Sequence, residues 1–268
     1  MGLLIAGNWK MNGLGDRLGE VSAVAECART TSGHNDVLIC VPSTLITRAV
    51  EAGAGLVVIG GEDCGAGVSG AFTGDISAEM LKDAGASAVI VGHSERRRNH
   101  NETDAMVATK AVAARRAGLA VIICIGETQA QRDEGAALSA CSAQIAASLP
   151  VDLEFSEGSA IAYEPLWAIG TGRVPTAGEI VEVHQSIRQR LTDLMGDRNH
   201  GLRILYGGSV TAENAESILE LPQVDGVLVG GASLRSHDFN GIIRAADAVT
   251  RHSGDPLRRL RHAYETDR

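Results

Sequence analysis

A glutamate closes a short apolar run near the middle of the chain, in the stretch A-Y-E-P-L-W-A-I-G-T-G (162–172). Glu164 is followed at once by Pro165 and by an apolar segment that ends in Gly170 and Gly172. An apolar cover excludes water and makes a carboxylate a stronger base. The segment is therefore predicted to be a lid, stiffened at one hinge by proline and loosened at the other by glycine. A glutamate paired with an arginine for structural reasons is the alternative.

Two further apolar runs end in side chains that are suited to handling charge. The first run ends at Asn8 and is followed by Lys10, one of three lysines in the chain, and the other two fall in helix-patterned segments. The fourth run ends at His93, before the sequence S-E-R-R (94–97), which has the pattern of a helix start. The positive field at a helix N-terminus disfavours an imidazolium. We therefore expect a neutral His93 that donates a hydrogen bond.

Glycine pairs follow the last two apolar runs, as Gly207-Gly208-Ser209 and as Gly230-Gly231. One such pair is usually a tight turn. Two pairs after consecutive strands are typical of a phosphate site built from backbone N–H groups and a helix N-terminus. Ser209 is expected to lead one helix, and residues 232–234 to form a second, short one. The chain contains no nucleotide-binding loop of the G-x-x-x-x-G-K-[ST] type.

The elements that must position these residues are visible as eight short apolar runs. Their continuous apolar character predicts strands that are buried on both faces, as in a parallel sheet. The runs are residues 3–9, 36–42, 56–61, 87–93, 120–126, 159–164, 203–208 and 225–231.

Helix-patterned segments alternate with these strands, clearest at residues 20–28, 105–119, 179–195 and 212–221, the last with Thr211 as its cap. Eight strand–helix units predict an α/β fold, a single-domain (β/α)8 TIM barrel. An open doubly wound sheet is the alternative, but the first strand leads into N-W-K-M-N rather than a glycine-rich fingerprint.

The barrel is predicted over residues 1–252, and residues 253–268 are predicted to be a charged tail or short surface helix.

Composition narrows the class of protein. The chain has 268 residues and a formal charge of −9, which argues against a general binder of nucleic acid or acidic membranes. Five scattered cysteines without a C-x-x-C motif favour reduced thiols in the cytoplasm over a disulfide framework or a zinc site. No signal peptide or membrane-spanning apolar run is recognised.

Seven motifs together closely resemble the triosephosphate isomerase family, in order and with their spacing intact from about residue 3 to 247. They are A-G-N-W-K-M-N (6–12), G-A-F-T-G-D-I-S (70–77), V-G-H-S-E-R-R (91–97), C-I-G-E-T (124–128), Y-E-P-L-W-A-I-G-T-G (163–172), Y-G-G-S-V (206–210) and L-V-G-G-A-S-L (228–234).

The resemblance implies interconversion of dihydroxyacetone phosphate and D-glyceraldehyde 3-phosphate, without a metal or organic cofactor. Glu164 would be the base that moves a proton between C1 and C2, and neutral His93 would polarise the carbonyl and shuttle protons. Lys10 would supply positive charge, Asn8 would orient the substrate oxygens, and Glu95 would pair with Lys10. The phosphate would be held by backbone N–H groups of Gly170, Ser209, Gly230 and Gly231.

The resemblance also implies a homodimer, in which the loop at residues 63–74 enters the neighbouring subunit and Thr73 contacts it.

Two positions depart from the family. Glu62 stands where glutamine is common, and its charge is expected to weaken the subunit contact or to pair with an arginine. Pro175 has no N–H, so it cannot donate to Tyr206 when the lid closes, and closure is expected to rely on Ser209 and other contacts.

Three alternatives stay open at this point. A paralogous isomerase of a four-carbon ketose phosphate would keep the same lysine, histidine and glutamate. A Schiff-base aldolase would need a lysine buried at a strand end, and only Lys10 is available. A non-catalytic barrel would show decay of the charged set, yet all of its members are present.

Overall fold

The structure, a computed structural model, describes residues 2–31, 35–150, 152, 154–169 and 173–253. Eight strands form a closed barrel in which each strand pairs in parallel with the next along the chain and β8 pairs with β1. They are β1 (Leu4–Asn8), β2 (Asp36–Cys40), β3 (Val58–Gly61), β4 (Ala88–Val91), β5 (Ala120–Ile125), β6 (Ala160–Tyr163), β7 (Arg203–Tyr206) and β8 (Gly226–Val229). The closed order confirms the predicted (β/α)8 barrel and rules out the open sheet.

The described part of the chain contains ten α-helices, which surround the barrel. They are α1 (Leu18–Thr30), α2 (Ile46–Gly53), α3 (Ala78–Asp83), α4 (Ser94–His100), α5 (Asp104–Arg116), α6 (Gln129–Asp133), α7 (Ala137–Ser148), α8 (Ala177–Met195), α9 (Ala215–Leu219) and α10 (Ser236–Ser253). Residues 254–268, which hold most of the predicted tail, lie outside the described residues.

The strands are buried on both faces because alternate residues serve two different cores. In β5, Ile122 and Cys124 belong to a cluster that fills the barrel, whereas Val121 and Ile123 pack in the larger cluster between strands and helices. Burying one such aliphatic side chain contributes about 1.5–3 kcal/mol. The two cores explain why the strand sequences are continuously apolar rather than alternating.

The four predicted helix segments all contain helix, but the cap of the last one differs. The Thr211 cap was predicted wrongly, because α9 starts only at Ala215. The side chain of Asn214 accepts from Thr211 N–H at 2.8 Å and donates to the Ser209 carbonyl at 3.1 Å. These bonds hold a turn before the helix, so Ser209 does not lead directly into it. Residues Gly231–Leu234 do form the expected short helix, of the 3₁₀ type.

Two glycines allow strand ends to approach closely. A Cβ at Gly226, where φ is 152°, would lie 2.0 Å from the Leu4 carbonyl oxygen at the seam between β8 and β1. A Cβ at Gly126 would lie 1.8 Å from the carbonyl oxygen of Glu164. Since no side chain fits in that space, glycine at 126 lets the end of β6 lie against the end of β5.

Candidate active site

The carboxyl ends of the strands surround a pocket of about 810 Å³. Eight of the nine site residues predicted from the sequence line it, and the ninth, Gly170, lies outside the described residues. The eight are Asn8, Lys10, His93, Glu95, Glu164, Ser209, Gly230 and Gly231. Residues from the ends of β1, β4, β6, β7 and β8 thus meet at one face of the barrel.

Lys10 is held in place by its backbone and by its charge. Its φ of 56° lies in the left-handed region, where a non-glycine residue costs on the order of 1–3 kcal/mol. The Lys10 N–H donates to Asn8 Oδ1 at 3.1 Å, and Lys10 Nζ donates to Glu95 Oε1 at 2.7 Å. The strained turn therefore directs an ammonium group across the pocket to the start of α4.

His93 is the N-cap of α4, which begins at Ser94 as the sequence predicts. Its Nδ1 accepts from the Glu95 backbone N–H at 3.2 Å, and its Nε2 lies 2.9 Å from Glu164 Oε1. A nitrogen that accepts from a backbone N–H carries no proton, so the other nitrogen must donate to the carboxylate. This arrangement gives His93 a neutral imidazole with its N–H directed into the pocket.

Glu164 is 2% exposed and makes three polar contacts. Besides His93, it accepts from the backbone N–H of Ser94 at 2.9 Å and from the Ser94 hydroxyl at 3.0 Å. Burial raises the pKa of this carboxyl group, but the contacts with His93 and Ser94 outweigh burial and leave the pKa below its ordinary value. Glu164 therefore faces hydrogen-bond donors in this structure, and not mainly the apolar cover that the sequence predicts.

The glycine-rich ends of β7 and β8 form the wall beside Lys10. A Cβ at Gly230 would lie 3.5 Å from Lys10 Cε. The 3₁₀ helix that begins at Gly231 is fixed from below, since Trp9 Nε1 donates to the Ser233 carbonyl at 3.0 Å. Lys10 and the glycine-rich strand ends thus lie on the same side of the pocket. Ammonium and backbone N–H groups are the donors that an anion requires.

Glu127, just after β5, was missed by the sequence argument. It is 0% exposed, and its Oε1 accepts from the Tyr163 hydroxyl at 3.0 Å and from Trp167 Nε1 at 2.8 Å. The guanidinium of Arg132 lies 5.5 Å from the centre of the Trp167 ring. The segment after β5 therefore holds the first hinge of the predicted lid.

Two further residues of the pocket were also missed, Ser94 and Arg98. The sequence holds a signal for each of these residues. Glu127 follows a strand end, as Asn8, His93 and Glu164 do, and the four-residue spacing of Ser94 and Arg98 places both on one face of α4.

A second, larger pocket of about 1170 Å³ lies behind Lys10. Glu62 lines it, with Oε1 buried and without a hydrogen-bond partner among the described residues. Burial raises the pKa of Glu62 to about 8, and the nearby Glu95 carboxylate adds to the rise. The expected arginine partner is not among the groups that act on Glu62, where the cation is Lys10.

Among the described residues, no group of three or more histidine, cysteine, aspartate or glutamate side chains is arranged to hold a metal ion. In the same part of the chain, no helix is both long enough and apolar enough to span a bilayer.

Fold and pocket together place the chain among the (β/α)8 barrels, with a carboxylate and an imidazole facing an ammonium group and a glycine-lined wall. A sequence model of the triosephosphate isomerase family matches residues 3–246. The chain belongs to that family, and is therefore an aldose–ketose isomerase.

Individual relatives agree over nearly their whole length. The triosephosphate isomerase of Hyphomonas neptunium is 55% identical over 245 residues, covering 91% of this chain and 98% of the relative. That of Rhodopseudomonas palustris is 52% identical over 242 residues, covering 89% and 95%. The crystal structure of triosephosphate isomerase from Bartonella henselae superposes with a TM-score of 0.84 at 43% identity, covering 91% of this chain and 99% of the other.

Proposed function

We propose that this enzyme interconverts dihydroxyacetone phosphate and D-glyceraldehyde 3-phosphate by proton transfer through an enediol(ate), with Glu164 as the base. The observation that carries the proposal is the meeting of Glu164, His93 and Lys10 in one pocket, with Glu164 and His93 2.9 Å apart. A carboxylate takes the proton from carbon, while a neutral imidazole donates to the oxygen that gains negative charge.

The other site residues have supporting roles in this proposal. Lys10 stabilises the phosphate and the enediolate, Glu95 holds the ammonium in place through its 2.7 Å bond, and Asn8 orients the substrate oxygens. Backbone N–H groups of Ser209, Gly230 and Gly231, joined by Gly170, bind the phosphate. No metal or organic cofactor takes part in this scheme.

Glu164 must leave Ser94 to reach a substrate carbon. Its three contacts hold it ionised in the free enzyme, so it is ready to accept a proton when a substrate arrives. Exclusion of water by the lid then raises its basicity. Glu164 thus has a low pKa in the resting enzyme and becomes a strong base in the closed complex.

The proposal includes a homodimer in the cytoplasm, formed through the loop at residues 63–74. Apolar side chains on and near this loop support the dimer. Phe72 is 61% exposed, and Met11, on the loop that follows β1 (the first loop), is 98% exposed. Exposed apolar groups beside a groove are typical of subunit interfaces. All five cysteines are free and buried, which fits a reducing compartment.

The test is turnover of D-glyceraldehyde 3-phosphate by the purified protein and by Glu164→Gln. We expect loss of the base to lower kcat by about 10²–10⁴-fold. Glu26→Gln, on the exposed side of α1, removes the same charge and should keep full activity.

If the folded wild-type protein were inert on triose phosphates but turned over a four-carbon ketose phosphate, the substrate proposed here would be wrong and the four-carbon sugar would take its place.

A further inference from the structure

Arg98 lines the substrate pocket but has no role in the scheme above. It lies on α4 four residues after Ser94, so the two side chains share one helix face. Ser94 contacts Glu164 at the floor of the pocket, and Arg98 is exposed one turn further out. The neighbouring side chains Asn99 and His100 line the other pocket, behind Lys10.

The guanidinium of Arg98 is not neutralised by a carboxylate in the described structure. Its hydrogen bond goes to Asn99 Oδ1 at 3.2 Å, and none of the ion pairs found among the described residues includes it. Most other arginines near the site are paired, for example Arg96 with Glu102 at 2.6 Å and Arg97 with Asp104 at 2.5 Å. Arg98 is thus a free positive charge at the mouth of the pocket.

The balance of positive and negative charges in the pocket lining explains why the charge of Arg98 matters for binding an anion. Lys10 and Arg98 are the cations of the lining, and Glu95 and Glu164 are the carboxylates. Lys10 is already paired with Glu95, which leaves Glu164 to repel an incoming anion. The chain as a whole carries a formal charge of −9, so its long-range field also opposes an anion.

A phosphate monoester, whose second pKa is about 6, approaches a neutral-pH enzyme as a dianion. Without Arg98, the carboxylates of the lining would outnumber the cations two to one. Charge of one sign in a cleft raises the local concentration of a ligand of the opposite sign and its rate of association. An unpaired guanidinium at the rim is suited to that task.

We propose that Arg98 is a steering residue that draws the phosphorylated substrate into the pocket against the negative charge of the chain. The inference rests on the proposed function, since it assumes a phosphorylated substrate. Arg98 acts on the encounter and not on the reacting atoms, so it should change kcat/KM and leave kcat unchanged.

The experiment measures kcat/KM for glyceraldehyde 3-phosphate at low and at high ionic strength. The Debye length falls from about 30 Å at 0.01 M to about 3 Å at 1 M salt. We expect Arg98→Gln to lower kcat/KM by about 3- to 10-fold at 0.01 M. The difference from wild type should close at 1 M, and Arg98→Lys should restore most of it.

Arg29→Gln is the matched control for net charge. Arg29 lies near the end of α1, and helices of this fold run back from the strand ends, so it lies at the opposite face of the barrel. The Arg29→Gln substitution removes the same charge as Arg98→Gln, and it should leave kcat/KM close to the wild-type value. Unphosphorylated glyceraldehyde serves as a neutral substrate, on which Arg98→Gln and wild type should perform equally.

In the kinetic experiment, three results would overturn the inference: no loss at low salt, a loss that persists at 1 M salt, or an equal loss in Arg29→Gln. A wild-type protein inert on triose phosphates would instead count against the proposed function. Binding of inorganic phosphate at pH 8 separates the two, because it needs no turnover. We expect the phosphate Kd of Arg98→Gln to rise by the same factor at low salt, and an unchanged Kd would contradict the steering role.

Discussion

Among single residues near the site, Glu62 has an unfavourable environment for a carboxylate. Its buried Oε1 has no hydrogen-bond partner among the described residues, and burial raises its pKa to about 8. In the unfolded chain a glutamate titrates near 4.3. Between these two values the folded protein holds a proton that the unfolded chain has released, so stability falls as pH rises through this window and is constant above it.

Glu62→Gln should remove this pH dependence and stabilise the protein at neutral pH. Each unit of pKa shift corresponds to about 1.4 kcal/mol, so we expect the variant to gain on the order of 1–4 kcal/mol at pH 8 and little at pH 5. The measurement is the free energy of unfolding in urea at both pH values.

The control is Glu51→Gln, on the exposed side of α2, which reports the effect of net charge alone. A wild-type unfolding free energy that rises from pH 5 to pH 8 relative to Glu62→Gln would show that Glu62 is ionised in the folded state, against this prediction.

At the scale of secondary structure elements, the ends of β6 and β7 offer a matched pair of tyrosines. Tyr163 and Tyr206 are register partners, and both are almost fully buried. The Tyr163 hydroxyl donates to Glu127, whereas the Tyr206 hydroxyl has no partner among the described residues. Pro175, which lacks an N–H, cannot supply one.

Replacing each tyrosine by phenylalanine should therefore have different effects. Tyr163→Phe removes a buried hydrogen bond to a carboxylate and should cost about 1–3 kcal/mol of stability. Tyr206→Phe removes an unsatisfied hydroxyl, so stability should stay equal or rise by up to about 1 kcal/mol.

Thermal or urea unfolding measures the stability of both tyrosine variants. The kcat of Tyr206→Phe is compared with that of a variant from which the lid has been deleted. If Tyr206→Phe slowed turnover as much as that deletion, a latch through Tyr206 would exist after all.

The elements also show what the sequence could and could not predict. The strands were predictable because two-sided burial gives a continuous apolar run, and their ends located Asn8, His93 and Glu164. The start of α9 could not be predicted from the sequence, because it depends on a turn closed by the Asn214 side chain. The roles of Glu127 and Ser94 depend on contacts across 36 to 70 positions of sequence, which no local pattern encodes.

At the scale of the whole molecule, apolar side chains are exposed on the face that carries the loop at residues 63–74. Val68, Phe72, Ile76 and Met80 are 53%, 61%, 36% and 51% exposed, and Leu14 on the first loop is 74% exposed. The groove behind Lys10 adjoins this face and is lined by residues of both loops, including Met11 and Gly74, and by Ile76. A second copy of the chain would bury these groups and close the groove.

Phe72→Asp should therefore dissociate the proposed dimer. Burial of a phenylalanine side chain contributes about 1.5–3 kcal/mol, and each 1.4 kcal/mol is about a factor of ten in Kd. With the added cost of placing a carboxylate in the interface, we expect dimer affinity to fall by at least about 10²-fold. The Lys10 side of the pocket borders the groove, so kcat should fall with the dimer.

Sedimentation at micromolar concentration measures the mass of each variant against the 27.9 kDa of a single chain. Leu56→Asp is the control, because Leu56 is 44% exposed but precedes β3 at the opposite end of the barrel, and it should remain dimeric and active. A wild-type protein of monomer mass would contradict the dimer itself. A dimeric, fully active Phe72→Asp would place the interface elsewhere and leave the exposed loop face without its proposed partner.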